Sequence, residues 1–283
     1  MNNPSAAYCT LGEAMIYQIA QTIEDGIIAF HGFGSPLVQL ALHLAKQTHA
    51  PRLVLVAGAT YGVNPTPPFL TPTTNDWTMN RGAECHLDIE ELFDLAASGR
   101  VGRMFLSGLQ IDCYGNLNVT RLGQQALSLK LPGGGGGCNL SCDVRHITIW
   151  TGAHRATIDS KGRRRFRLVE QCDFITSVGH RGAEGKSRSE MSYRGLGPDA
   201  LVTELGVFDF DGAGRARLSG LFPDIDLGTV RDNTGFDFPI HEDLAPVSLP
   251  TSEMIDFIRR LDPLMIHERE LKPEESARTF PLT

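Results

Sequence analysis

Asp25-Gly26-Ile27-Ile28-Ala29-Phe30-His31-Gly32-Phe33-Gly34-Ser35-Pro36, leading through Leu37–Gln47 to Leu53-Val54-Leu55-Val56, is the stretch on which the fold turns. Ile27 to Phe30 is a short apolar run closed by glycines, which reads as a buried strand. Ser35-Pro36 suits the N-cap and first turn of a helix running from about Ser35 to Gln47. Leu53 to Val56 is a second strand of buried type. Upstream, Met15, Ile19 and Ile23 recur at i, i+4 and i+8 within residues 11–24, an amphipathic helix that Asp25-Gly26 ends. Two strand–helix–strand steps within about 60 residues predict an α/β fold with a mainly parallel sheet.

The alternation continues downstream. Pro65 to Pro72 is too rigid and donor-poor for a helix and reads as a loop. Residues 89–98 predict a short helix, and Val101 to Ser107 a strand that leads into Gly108-Leu109-Gln110-Ile111-Asp112. Tyr114-Gly115-Asn116-Leu117-Asn118 carries a tight-turn signal. His146 to Trp150 is a strand, and Arg163 to Val169, after Lys161-Gly162, predicts a hairpin. Residues 201–210 read as one strand, and Thr251 to Leu261 as a terminal helix with Met254, Ile255 and Ile258 on one face. There is no internal repeat and no low-complexity linker. The reading is one domain over residues 1–270, with residues 271–283 a poorly ordered tail.

The 283 residues are 41% hydrophobic and 21% charged, ordinary values for a globular chain. A net charge of -7 and a pI of about 5.7 give no reason to expect nucleic acid or an anionic membrane as partner. No segment approaches the ~20 apolar residues of a membrane span, and no basic-then-apolar signal region opens the chain, so a cytoplasmic location is expected. The six cysteines include no CxxC pair, and the close pair is Cys138-x-x-x-Cys142. Reduced thiols and no metal site are therefore expected.

Three motifs carry chemistry. In His31-Gly32-Phe33-Gly34-Ser35-Pro36, Gly32 and Gly34 permit close backbone approach, and the helix opening at Ser35 offers N–H groups to an anion or oxyanion. A plain tight connection would use the same residues. The third glycine of a dinucleotide fingerprint is missing, as is the Gly-Lys-Ser/Thr of a Walker loop. Gly133-Gly134-Gly135-Gly136-Gly137-Cys138-Asn139 carries an ordering cost of roughly 1–2 kcal/mol per fixed residue. A mobile linker is the plain reading, but Pro132 and the closely flanking apolar strands count against it. The alternative is a backbone wall whose N–H groups converge on a carbonyl oxygen or phosphate. In Gly108 to Asn118, Gln110 and Asn118 could orient a substrate, although a strand end, an Asx turn and a solvated Asp112 would look the same. Cys138, Asp143 and His146 are close in sequence, which is not triad geometry.

Five ordered blocks over roughly residues 8–240 resemble the β-type subunit of family I CoA-transferases, particularly the glutaconate CoA-transferase branch. They are Asp25 to Leu55, Leu106 to Asn118, Leu131 to Asn139, Cys172-Asp173-Phe174-Ile175-Thr176-Ser177-x-Gly179, and Thr203 to Phe210 with Val230 to Phe236. The resemblance implies an open, mainly parallel sheet with flanking helices, the CoA-transferase (NagB/RpiA-like) fold. It also implies a homologous α-type partner, an expected α2β2 assembly, and an acyl-CoA between the subunits, with coenzyme A as part of the substrate and no further cofactor. In this family the second strand ends in Glu-Ser-Gly or Ser-Glu-Asn-Gly, and that Glu carries CoA covalently. Matching Gly62 and Pro65 to the pattern puts Ala57 at that position. A methyl group can neither attack a thioester nor carry an acyl group.

A related branch, which opens rings in bacterial steroid degradation, also lacks that Glu; there a carboxylate of the α-type subunit activates water. The resemblance thus implies hydrolysis or C–C cleavage of an acyl-CoA, with Gly32, Gly34 and Ser35 near the CoA ester, and Gly135, Gly136 and Gly137 framing the thioester. Gln110 and Asn139 would polarise or orient it, Asn118 would assist, and no metal would take part. An authentic transferase with a displaced Glu, Glu13 or Glu84 being nearest, is the alternative. A catalytically silent, CoA-binding subunit is another. Of the basic clusters, Arg163-Arg164-Arg165-x-Arg167 or the group Arg181, Lys186, Arg188 and Arg194 could hold the phosphates of CoA.

Overall fold

The computed structural model describes residues 7–58, 60–73, 75–123 and 127–282. Two compact units divide the chain, residues 1–94, 101–105 and 248–283 in the first, residues 95–100 and 106–247 in the second. The chain passes between them after residues 94, 100, 105 and 247. No linker composition marks any of these passages, which is why the sequence reads as one domain over 1–270. Among the described residues the α-helices are α1 (Leu11–Gln21), α2 (Pro36–Gln47), α3 (Ile89–Ala97), α4 (Gly137–Asp143), α5 (Leu227–Asn233), α6 (Ser252–Leu261) and α7 (Pro273–Ser276). None of these helices is long and apolar enough to cross a membrane.

In the first unit, Ile28–His31 lies between Val54–Val56 and Val101–Leu106 and runs parallel to both. The hairpin strand Gly62–Val63 and then Cys85–His86 extend this sheet antiparallel. The parallel strands Ile28–His31 and Val54–Val56 are joined by the α2 crossover, and Val54–Val56 and Gly62–Val63 by a short turn, as connection length requires, whereas residues 64–84 separate Gly62–Val63 from Cys85–His86. The apolar spacing read from the sequence forms α1 and α2, and α2 buries Leu37, Val38, Leu40, Ala41, Leu44 and Ala45.

The start of α1 is a capping box. Glu13 N–H donates to Thr10 Oγ1 (3.1 Å) and Thr10 N–H donates to Glu13 Oε2 (2.8 Å). The same carboxylate, 0% exposed, receives Arg259 of α6 at 2.6 and 3.0 Å. At α2, Ser35 and Pro36 take the N-cap and first-turn positions that the sequence predicts. The Ser35 side chain makes no capping bond, however; Glu270, from far along the chain, accepts the Leu37 N–H at 2.9 Å instead. The poorly ordered tail expected over residues 271–283 needs correction, since α7 forms there and Thr279–Pro281 pairs antiparallel with Tyr8–Thr10. Buried Phe280 anchors that strand.

In the second unit, His146–Thr151 pairs parallel with Gly197–Thr203, followed by antiparallel Gly206–Phe210 and Ala216–Leu221 and then parallel Ile240–Pro246. The single strand expected over 201–210 is thus a hairpin that turns at Glu204-Leu205. Thr203 Oγ1 closes it by accepting from Leu205 N–H (3.2 Å) and Gly206 N–H (3.1 Å). A smaller sheet sets Gln110–Asp112 between Leu168–Val169, parallel, and Leu117–Asn118, antiparallel. The hairpin expected over Arg163 to Val169 forms only in its first part, with Thr157–Ile158 against Arg164–Arg165, while Leu168–Val169 leaves it for the smaller sheet. The α/β class, with sheet strands flanked by helices, is what the strand–helix alternation predicts.

Candidate active site

Ala57, Gly32, Gly34 and Ser35 belong to the first unit, and Gln110, Asn118, Gly135 to Gly137 and Asn139 to the second. Gly32 and Ala57 each stand just past the C-terminal end of a parallel strand, the edge at which open α/β sheets carry ligands. There the two strand ends touch. A Cβ on Gly58 would lie 1.5 Å from the His31 carbonyl oxygen, so glycine alone fits. Gly58 N–H donates to His31 Nε2 at 3.4 Å, which leaves the imidazole proton on Nδ1, donating to the Gly32 carbonyl at 2.9 Å. Burial holds this histidine neutral, its pKa pushed down to about 4.

Ala57 is 3% exposed, and its backbone is committed on both sides. Its N–H donates to Gly62 O (2.9 Å) and its carbonyl accepts Tyr61 N–H (2.7 Å). Tyr61 and Asn64 take left-handed φ of +55° and +49°, which costs on the order of 1 kcal/mol each. Asn64 offsets this, because its Oδ1 accepts Leu55 N–H (3.0 Å) and Lys46 Nζ (3.1 Å). A stiff frame therefore presents a methyl group at residue 57. Glu13 cannot substitute, both its oxygens being held in the capping box and the Arg259 pair. Glu84 is exposed beside the Cys85–His86 strand, its N–H bonded to Val63 O at 2.9 Å. Gly34 has φ +68°, and a Cβ on either Gly32 or Gly34 would meet nothing within 4 Å.

The glycine run of the second unit is ordered and half helical. Gly133 (φ +95°) and Gly135 (φ +51°) take conformations that side chains resist, and Gly136 becomes the N-cap of α4. A Cβ on Gly134 would come within 2.6 Å of Thr176 Cγ2. The run is tied by Gly133 N–H to Val119 O (2.8 Å) and Gly137 N–H to Gly134 O (2.9 Å). The N–H groups of Gly135, Gly136, Cys138 and Asn139 have no acceptor among the described residues. Asn139 and Cys138 are exposed, and the Cys138 thiol donates to Gly135 O at 3.3 Å. Donors left over in this way can take a developing oxyanion.

Gln110 and Asn118 come together, Asn118 Nδ2 donating to Gln110 Oε1 at 2.7 Å. Asn118 is 0% exposed and its hydrogen-bonding capacity is spent inside the protein. Nδ2 also reaches Arg121 O (2.6 Å), while Oδ1 accepts the N–H groups of Thr120 (3.1 Å) and Arg121 (3.2 Å). It shapes a turn and has nothing left for a substrate. Gln110 Oε1 also accepts Asp173 N–H (3.0 Å), whereas its Nε2 has no partner among the described residues. Asp112, read as solvated, is buried and accepts Tyr114 N–H, Asn116 N–H and Asn116 Nδ2 at 2.9–3.0 Å, with its carboxyl pushed up by burial.

The arginines divide. Asp159 collects Arg163 and Arg165 at 3.0 Å each, and Arg164 is bound to the Asp232 carbonyl, so the hairpin's charges are largely spent locally. Arg188, grouped above with possible phosphate ligands, is only 7% exposed and surrounded by carbonyls. Sequence offers no signal for it, because an arginine in a polar stretch reads as surface. An open groove of 760 Å³ in this unit is lined by Phe166, Glu170, Arg231 and Phe236, among others, and by none of the expected site residues.

No protein-family model matches the chain. It is 29% identical over 261 residues to the B-type subunit of 3-oxoadipate CoA-transferase from Pseudomonas knackmussii, covering 91% of this chain and 94% of that one. It is 26% identical to the IpdB subunit of the cholesterol ring-cleaving hydrolase of Rhodococcus jostii, covering 94% and 95%. With the B-type subunit of glutaconate CoA-transferase from Acidaminococcus fermentans it shares 27%, covering 89% and 92%. Among solved structures, a crystal structure of the decarboxylase AibA/AibB aligns with a TM-score of 0.78 and 29% identity, over 93% of this chain and 98% of that one.

Proposed function

Because this chain matches β-type subunits of the CoA-transferase superfamily, we propose that it is the β-type subunit of a heteromeric acyl-CoA-processing enzyme acting by hydrolysis or C–C cleavage. The observation that carries this reading is Ala57, a buried methyl group on a rigid strand end where covalent transfer needs a carboxylate. Two of the similar proteins are named for bond cleavage, a ring-cleaving hydrolase and a decarboxylase, and this supports the same direction. An α-type partner completes the enzyme in this reading, as the paired name AibA/AibB denotes for that protein.

In a ring-opening reaction, water activated by a carboxylate of the partner adds to the ketone of a β-keto acyl-CoA. The bond between that carbon and the α-carbon then breaks, and its electron pair passes to the α-carbon and the thioester oxygen as an enolate. The unspent N–H groups of Gly135, Gly136 and Asn139 suit that oxygen, and proton return to the α-carbon completes the step. In this reading Gln110, whose Nε2 has no partner among the described residues, is an orienting donor.

The test is a panel of acyl-CoAs, cyclic β-keto esters included, incubated with the complex in the presence and absence of acetate or succinate and read by mass spectrometry. Addition of water, or loss of carbon dioxide, without an acceptor acid is expected. A new CoA ester that forms only with the acceptor would overturn the reading in favour of transfer, the second reading, which the 29% identity to a CoA-transferase subunit favours. Gly136→Val, which sets a branched side chain on the N-cap of α4, is expected to lower turnover about a hundredfold. Unchanged turnover in that variant would remove the glycine run from the mechanism.

A further inference from the structure

The glycine run has little means of fixing its own shape. Five consecutive residues without side chains lead into a helix of seven residues, too short to be stable in isolation. The far end of this segment is gripped by Arg188, distant along the chain. Its Nη2 donates to the carbonyls of Ser141 (2.7 Å) and Cys142 (3.2 Å), in the last turn of α4. Its Nη1 donates to the carbonyls of Val178 (3.0 Å) and Gly179 (3.1 Å), and its Nε to Gly195 O (2.6 Å). A guanidinium has five N–H donors, and five backbone carbonyls receive them. The Tyr193 ring lies 5.5 Å from the guanidinium carbon and covers it.

These carbonyls come from segments that grip the run at both ends. Ser141 and Cys142 end the helix that the run begins. Val178 and Gly179 continue the segment in which Thr176 touches Gly134 and bonds Thr120 Oγ1 (2.7 Å) and Val119 N–H (3.0 Å). Val119 in turn accepts Gly133 N–H. Gly195 N–H donates back to Cys142 O (2.8 Å), and Gly179 N–H donates to Asn116 Oδ1 (2.8 Å) in the turn after Gln110–Asp112. A positive charge at the C-terminal end of α4 also complements the helix dipole.

We propose that Arg188 is a positioning residue, which sets the geometry of Gly133 to Asn139 and thereby the aim of its free N–H groups at the thioester. The functional half of this inference rests on the acyl-CoA reading above; the positional half does not. Lysine keeps the charge but offers three donors on a flexible stem, too few for five carbonyls.

The test compares Arg188→Lys and Arg188→Ala with the native chain, each purified with its α-type partner. Three quantities are read: amide exchange over residues 133–143, kcat and KM, and recovery by added guanidinium. In Arg188→Lys, exchange over 133–143 should quicken while α1 and α2 keep native rates, and kcat should fall about tenfold to a hundredfold with KM within about twofold. Millimolar guanidinium should return part of the lost kcat to Arg188→Ala, which a general loss of folding would not permit. Native exchange over 133–143 in Arg188→Lys would overturn the proposal, as would quickened exchange with native kcat. Should the native complex turn over none of the panel, the acyl-CoA reading fails, and the exchange measurement still decides whether Arg188 holds the run.

Discussion

At Gly58 the space for a side chain is occupied by another part of the backbone. The 1.5 Å separation between a would-be Cβ and the His31 carbonyl means that Gly58→Ala must force two strand ends apart. A loss of about 3 kcal/mol or more is expected, read as a lowered midpoint in urea with unchanged slope. Glu13 makes the opposite point, as a carboxylate that looks available from its sequence position and is fully employed. Glu13→Ala removes the capping box and strips Arg259 of its partner, so a loss of about 2–4 kcal/mol is expected, with kcat retained in the folded fraction. A variant with native stability and no turnover would make Glu13 the displaced nucleophile instead. The same contrast explains what can be read in advance at this scale. The methyl group at residue 57 is plain from the sequence, whereas Glu13, Asn118 and Arg188 take their roles from partners that no local pattern announces.

At the level of elements, legibility follows the range of the interactions. Helices α1, α2 and α6 and the strands Ile28–His31 and Val54–Val56 are readable because their apolar spacing is a local property that burial merely uses. The turn at Glu204-Leu205 escapes such reading because Thr203 closes it with a hydroxyl inside an otherwise strand-like run. The strand Thr279–Pro281 escapes it because its partner, Tyr8–Thr10, lies at the other end of the sequence. The start of α2 points locally to Ser35, while Glu270 holds it from a distance. Glu270 is half-buried, and burial pushes its pKa up to about 8, so near neutrality it serves the helix mostly as a neutral acceptor.

For the molecule as a whole, these buried titratable groups set a stability optimum with two limbs. On the alkaline side, His267 is raised to about 9 by Asp262, at 2.6 Å, and by Glu268, against the desolvation it suffers. Its contribution is complete below about 6.5 and lost as pH climbs through 9. Glu270, raised to about 8, adds a loss that begins above its ordinary value and is complete beyond 8. On the acid side, burial depresses His31 and His43 to about 4 and His154 to about 3, so their contribution is present above 6.5 and fades as pH falls. Thermal melts should therefore peak at roughly pH 6 to 7.5, falling on both sides. Glu270→Gln should flatten the neutral-to-alkaline slope, and an unaltered slope would remove Glu270 from that limb. The exposed Cys138 thiol, seated on the glycine run, has a practical bearing on work at the bench. Maleimides, mercurials and air will reach it along with exposed Cys85, so preparations kept without reductant will drift in composition at the very loop whose N–H groups are to be assayed.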